Sequence, residues 1–280
     1  MLDKLLEIFG NAHFEAYVGG PLAGVLLGAL FVKLSVRPEA EQTEVSPREV
    51  RRALDKYKDA EPRRQGNHHR SSQGDGDGSL LVVLLMVAAV SIFLFAAFLQ
   101  TIVDTLCVFN ATVAAFCLTA ALLACVTGRF NTRDWWLQTI VPMLVSLGCF
   151  WLIQKVQQAI SPEVATYARG LLAGDAINVG TILRAAFLFI RSLSSEYVQW
   201  ITYELSAALF ITIAGVGAML RLVYYIALSN TREGGGHWEV LALRTRRFGG
   251  IGNVLALGLM LGLGFLLADG MVYGFMHSVG

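Results

Sequence analysis

The sequence predicts an all-α protein, a polytopic membrane helix bundle with about six transmembrane helices and additional amphipathic interfacial helices. Hydrophobic residues make up 55% of the 280 residues and charged residues only 15%, and the mean hydropathy is +0.57. These values exclude an ordinary soluble domain. A helix needs about 20 mostly apolar residues to cross a hydrocarbon core of roughly 30 Å, because its backbone groups must be paired internally. Six stretches qualify: Ala16–Val32, Leu80–Leu99, Leu106–Val126, Trp135–Ile153, Val198–Leu220 and Ile251–Phe275.

The second and third stretches form one apolar tract that is too long for a single crossing. Gln100–Thr105 separates them, so a tight hairpin is expected near residues 100–105, with Asp104 at its turn. Pro142 should kink the fourth helix. The chain then divides into an N-terminal amphipathic helix with the first span, a basic loop with a short helix and a flexible tether, spans two to four, an amphipathic segment, and spans five and six. These parts cover 1–32, 33–79, 80–153, 154–196 and 197–280.

Basic residues are distributed unevenly between the two faces of this bundle. The loops at one face hold 17 of the 22 lysines and arginines, ten of them in the loop 33–79 alone. Cytoplasmic loops carry an excess of Lys and Arg. The pattern therefore predicts a multi-pass protein of the bacterial inner membrane with both termini extracytoplasmic.

The long basic loop contains a helix-start signal. Ser46 is followed by Pro47 and Glu49, the pattern of an N-cap, a first-turn proline and a capping-box acid. Basic side chains surround a thin apolar stripe on this expected helix: Arg48, Arg51, Arg52, Lys56 and Lys58. Such a helix either lies on anionic lipid headgroups or docks on a partner subunit.

An extracytoplasmic segment, 177–193, is apolar but contains Arg184 and Arg191. The two arginines are two helical turns apart, which indicates an amphipathic interfacial or re-entrant helix rather than a span. Its apolar face is expected to consist of Ile177, Leu183, Ala186, Phe187 and Ile190.

Ionisable groups within the spans are few, and they define a candidate polar cluster of Asp104, Asn110, Glu204, Asp269, Arg184 and Arg191. A charge in hydrocarbon is costly, so Glu204 and Asp269 should point into the bundle. Two interpretations remain open. Arg184 and Arg191 neutralise the carboxylates and pin the outer helix onto the bundle, or the carboxylates line a cation or proton pathway.

Glycines recur every four residues in two spans: Gly20, Gly24 and Gly28 in the first, and Gly258 and Gly262 in the last. Small residues on one stripe let two helices approach closely in a membrane. They predict either packing within the bundle or association with another subunit.

No metal, cofactor or catalytic pattern is present in the sequence. The four cysteines lie inside predicted spans, and the near-neutral charge of +1 gives no reason to expect nucleic acid as a partner. The favoured hypothesis is a non-catalytic integral membrane subunit of a larger envelope complex of the secretion, conjugation or defence type. Its partners would be the lipid bilayer and other membrane subunits, as a homo- or hetero-oligomer. The alternative is a channel or transporter subunit with Glu204 and Asp269 in its pathway.

Overall fold

A computed structural model describes residues 18–34, Arg52, 77–127, 133–173, 178–230 and 236–278. These residues form helices and short connections without a strand. The nine α-helices of the described ranges are α1 (Gly20–Leu34), α2 (Asp77–Thr127), α3 (Arg133–Ala159), α4 (Pro162–Gly170), α5 (Val179–Ser192), α6 (Ser195–Asn230), α7 (Gly236–Thr245), α8 (Ile251–Ala268) and α9 (Met271–Ser278). A 3-10 turn, Arg246–Gly249, joins α7 to α8.

The expected hairpin near residues 100–105 is wrong, because these residues are helical within α2, whose two helical halves are joined by a kink. Residues 100–105 contain no glycine or proline that would break the helix. Gln100 donates to Asp104 one turn later, and the Thr105 hydroxyl bonds the Thr101 carbonyl, so both polar groups are satisfied within helical geometry. The single break in regular dihedrals is at Phe98, where φ is −109° and ψ is 16°. At about 1.5 Å per residue the helix is more than twice as long as a hydrocarbon core is thick.

Four described helical segments are long and apolar enough to cross a membrane: Val82–Val126, Trp135–Ala159, Ser195–Asn230 and Ile251–Ala268. A shorter apolar helix covers Gly20–Leu30. The chain is therefore an all-α, multi-pass helix bundle by length and composition. The expected count of about six spans is not confirmed, because two of the six predicted stretches belong to α2.

The second half of α2 packs in one bundle with α1, α3, α6 and α8. Contacts of Gly20 and Gly28 with Val108 and Thr119 follow the same order along both helices, so α1 and α2 are parallel. Successive pairs among α2, α3, α6 and α8 are antiparallel. Cys149 of α3 bonds the Ile211 carbonyl of α6, and the Trp200 indole at the start of α6 bonds Ala159 at the end of α3.

The first half of α2 continues past this bundle and is covered on one side by α4 and α5. Arg169 of α4 donates to the Ala97 carbonyl at 3.1 Å, and Phe189 of α5 packs on Phe93 with ring centroids 5.6 Å apart. Further towards the start of α2, Val82–Val87 is exposed on every side.

Helix α5 is amphipathic, as predicted, but its buried face only partly coincides with the expected one. Its capping box is formed by Asn178 and Thr181, and its buried residues are Ala185, Ala186 and Phe189. Of the expected apolar face, Ala186 is buried and Ile190 packs against the core, whereas Leu183 and Phe187 are exposed. Ile177 lies outside the described residues. The two alanines allow close approach to α2, which lets the large Phe189 ring reach the core and turns Leu183 and Phe187 outward.

Candidate functional site

Glu204 is the most unusual group in the bundle. It lies in α6 on the buried stripe that includes Ile201, Ala208 and Ile211, and its side chain is 0% exposed. Hydrogen bonds of Trp200 and Ile211 to α3 lie on either side of it, which places Glu204 against the last turns of α3. Neither carboxylate oxygen has a hydrogen-bond partner among the described residues. A buried polar group without a partner is costly, and native structures contain few of them.

A second buried polar group, Asn110 of α2, lies beside Gly215 of α6, three helical turns beyond Glu204. The Asn110 amide of α2 donates to the Leu106 carbonyl at 2.8 Å, while its oxygen has no partner among the described residues. An ideal Cβ on Gly215 of α6 would lie 2.9 Å from that oxygen, so the glycine makes room for the amide. Ser146 of α3 is also fully buried with its hydroxyl unpartnered in this part of the chain. Glu204, Asn110 and Ser146 thus come from the three central helices.

Asp104 belongs to a polar layer between α2 and α3 that sequence reasoning only partly identified. Gln100 donates to Asp104 at 2.9 Å and accepts from Gln157 at 3.4 Å. The Gln154 amide contacts the Cys107 sulfur at 3.6 Å. The three glutamines were missed because each is common on a helix surface. The sequence feature that could have identified them is the three-residue spacing of Gln154 and Gln157. This spacing places both side chains on the side of α3 that faces the Asp104 turn of α2.

Asp269 does not pair with the predicted arginines. Lys155 of α3 donates to its carboxylate and also lies over the rings of Trp151 and Phe265, at 5.1 and 5.5 Å from their centroids. Asp269 is partly exposed at the end of α8, where the chain turns into α9.

Arg184 and Arg191 are exposed on α5, and neither makes an ion pair within the described part of the chain. The expectation that they neutralise Glu204 and Asp269 is therefore not met for either carboxylate. The reason is the rotation of α5, whose buried alanines face α2 and leave both guanidinium groups on the outside.

Arg221 is a buried residue that the sequence placed in a loop. It is 3% exposed, because α6 continues past it to Asn230. Its guanidinium donates to the carbonyls of Phe248 and Gly250 at 3.1 and 3.2 Å, and so ties α6 to the 3-10 turn. Those acceptors are nearly thirty residues away in sequence, so no local pattern identifies them.

The two glycine stripes have different surroundings. Cβ atoms built on Gly20, Gly24 and Gly28 would meet α2 at or below 3.0 Å, mostly at its backbone. Cβ atoms built on Gly258 and Gly262 would meet no described residue within 4 Å. The first stripe is used for packing inside the bundle, and the second faces outward.

The predicted basic helix lies outside the described residues: Arg48, Arg51, Lys56 and Lys58 are not described, and Arg52 is exposed. Within the described ranges, no three His, Cys, Asp or Glu side chains are grouped as metal ligands would be. Cys107, Cys117 and Cys149 are buried thiols, and Cys125 is an exposed one.

Comparison with known proteins gives no match to any protein-family model, curated protein or solved structure.

Proposed function

We propose that this chain is a non-catalytic integral membrane subunit of a larger envelope complex in the bacterial inner membrane, with both termini extracytoplasmic. The observation that carries the proposal is the outward face of α8. Leu255, Gly258, Leu259, Gly262 and Leu266 are all exposed and recur at helical spacing on one side. We call these five residues the α8 face.

Lipid contact alone does not call for glycines, since lipid chains fit around larger side chains equally well. Two glycines four residues apart with leucines beside them are instead typical of close contact between transmembrane helices. Among the described residues nothing covers Gly258 or Gly262, whereas Gly24 of the other stripe is covered by α2. The α8 face therefore fits a transmembrane helix of another subunit, either a second copy or a different protein.

Replacing Gly258 and Gly262 together by leucine tests this proposal. Overpacking of a close interface costs about 1–3 kcal/mol, which weakens association roughly tenfold to a hundredfold. The measurement is the native mass of the protein extracted in a mild detergent. We expect the double variant to shift from the assembled to the monomeric mass.

Ala256→Leu is the matched control, because Ala256 is also exposed on α8 but lies about a quarter turn away from the centre of the α8 face. It should keep the wild-type mass. A wild-type protein that is monomeric at every concentration, or a double variant that assembles like wild type, would contradict the proposal.

A second candidate is an ion or proton pathway through the bundle that involves Glu204 and Asp269. The specific observation in its favour is the set of buried oxygens without described partners on Glu204, Asn110 and Ser146. Intramembrane ionisable residues often mark such pathways, because water or an ion supplies the missing partner. Asp269, paired with Lys155, would stand at the end of this route.

Glu204→Gln tests the pathway, because it removes the negative charge and keeps the shape of the side chain. In proteoliposomes we expect flux of protons or monovalent cations to fall at least about tenfold, the size of a change of about 1.4 kcal/mol in a barrier. Glu163→Gln removes an exposed acid on α4 and should leave flux unchanged. No flux above that of empty liposomes, in a correctly folded wild-type protein, excludes this candidate.

A further inference from the structure

An open pocket of about 290 Å³ lies at the end of the bundle where α6 begins and α9 follows α8. Its lining consists of Ser194, Glu196, Tyr197, Trp200 and Tyr273. Its volume is near the lower end of small-molecule sites, about 300–1,000 Å³. Three of the five residues are aromatic, one is acidic, and no lysine or arginine is among them.

The aromatic walls have a defined arrangement. The rings of Trp200 and Tyr273 are 5.4 Å apart between centroids and almost perpendicular, at 87°. His277 stacks on Tyr273 with ring centroids 4.0 Å apart, and it is not among the residues that line the pocket. The pocket is thus bounded by two rings at right angles.

Hydrogen bonds and backbone geometry hold these walls in place. The Trp200 indole donates to the Ala159 carbonyl at 2.9 Å, and the Tyr197 hydroxyl accepts from the Ser161 amide at 3.2 Å. Gly270 has a φ of +70°, and a Cβ there would lie 3.1 Å from the Trp200 ring. A glycine is therefore required at this turn for α9 to bring Tyr273 against Trp200.

The charge of the pocket selects a cation. Glu196 is exposed in the first turn of α6, and it forms no ion pair within the described residues. The neighbouring cation Lys155 is bound to Asp269 and lies over other rings, Trp151 and Phe265. The pocket therefore has aromatic walls and a carboxylate but holds no described basic side chain of its own.

We propose that this pocket binds an organic ammonium group of the choline type. Aromatic walls with a nearby carboxylate are how proteins recognise quaternary ammonium ions, because the ring faces attract the cation without requiring hydrogen bonds. The group belongs either to a lipid headgroup or to a small soluble molecule. Both sources present the same cation to the pocket.

Calorimetric titration of the full-length protein with choline, in a maltoside detergent that carries no ammonium group, tests the proposal. The neutral isostere 3,3-dimethyl-1-butanol is titrated in parallel, because it has the same shape without the charge. We expect choline to bind at least about tenfold more tightly than the alcohol, consistent with one or two cation–π contacts.

Two variants locate the binding to the pocket, and each has a matched control. Tyr273→Leu and Glu196→Gln should each weaken choline binding by roughly five- to tenfold. Tyr203→Leu removes another ring that touches Tyr273 outside the pocket, and Glu163→Gln removes another first-turn acid. Both controls should bind choline like wild type, and circular dichroism shows that each variant is folded.

The source of the cation is distinguished in nanodiscs. A headgroup in the pocket predicts that choline binding is lost in phosphatidylcholine discs and retained in phosphatidylglycerol discs. A soluble ligand predicts equal binding in both. Equal affinity for choline and the neutral alcohol, undetectable choline binding in detergent and in phosphatidylglycerol discs, or wild-type binding by Tyr273→Leu and Glu196→Gln overturns the proposal.

Discussion

Replacing Gly24 by alanine is expected to loosen the attachment of α1 to α2 and to lower the stability of the bundle markedly. A Cβ at this position would overlap the Thr112 carbonyl oxygen and would lie 2.9 Å from both the Ala115 Cβ and the Phe116 amide nitrogen. Two of these atoms are helix backbone, so the clash is relieved only if α1 moves away. Overpacking of this kind costs about 1–3 kcal/mol, and here the rigid contact places the effect at the upper end.

The measurement is the thermal unfolding temperature in detergent, together with the rate of limited proteolysis of α1. Gly262→Ala is the matched control, since it adds the same methyl group to a glycine of α8 that has no described neighbour within 4 Å of the added carbon. It should leave the unfolding temperature of the isolated chain unchanged. Equal unfolding temperatures and digestion rates for Gly24→Ala and wild type would falsify the contact between α1 and α2.

This contrast shows what a glycine stripe in a sequence establishes. The four-residue spacing predicts a close helix contact for Gly24 and for Gly258 alike, because small residues at that period permit one. Which helix makes the contact depends on the positions of helices distant in sequence. Only the structure places Thr112 against Gly24 and leaves Gly258 open.

The extent of α2 shows a different limit. Hydropathy identifies the apolar residues correctly, but the rule that a span needs about 20 residues then divides them by length alone. Local chemistry favours a continued helix at residues 100–105, because Gln100 bonds Asp104 one turn later and residues 79–127 contain no glycine or proline. The expected hairpin failed because turn-forming residues, rather than length, determine where a helix ends.

Arg221 and Lys155 show why the partners of charged residues are hard to predict. An arginine at the end of an apolar stretch is normally interpreted as the start of a loop. Arg221 is instead buried, and its guanidinium donates to backbone carbonyls at the 3-10 turn. Lys155, at the end of α3, pairs with Asp269 from the end of α8. Both contacts join elements that are distant in sequence, so the pattern within either helix contains no information about them.

Replacing Glu204 by methionine is expected to raise the stability of the bundle. Glu204 is fully buried, and both carboxylate oxygens lack a described partner. An unpartnered buried polar group costs about 1–3 kcal/mol in proteins. Methionine has a similar volume and a flexible side chain that adapts to the space, so its substitution removes this cost without leaving a large cavity.

The expected gain is therefore about 1–3 kcal/mol in the free energy of unfolding, measured by denaturation in a defined detergent. Gln154→Met is the control: Gln154 is partly buried but bonded to Cys107, so its loss should be neutral or destabilising. Glu204→Gln should change stability little, because the glutamine amide remains buried without partners. A lower stability of Glu204→Met than of wild type would contradict this prediction and would mean that the carboxylate is satisfied by a bound ion or water.

Natural proteins retain a destabilising buried group when function needs it. A stabilised Glu204→Met that also loses its flux would therefore favour the pathway candidate, whereas a stabilised variant with unchanged assembly and no flux to lose would favour the subunit.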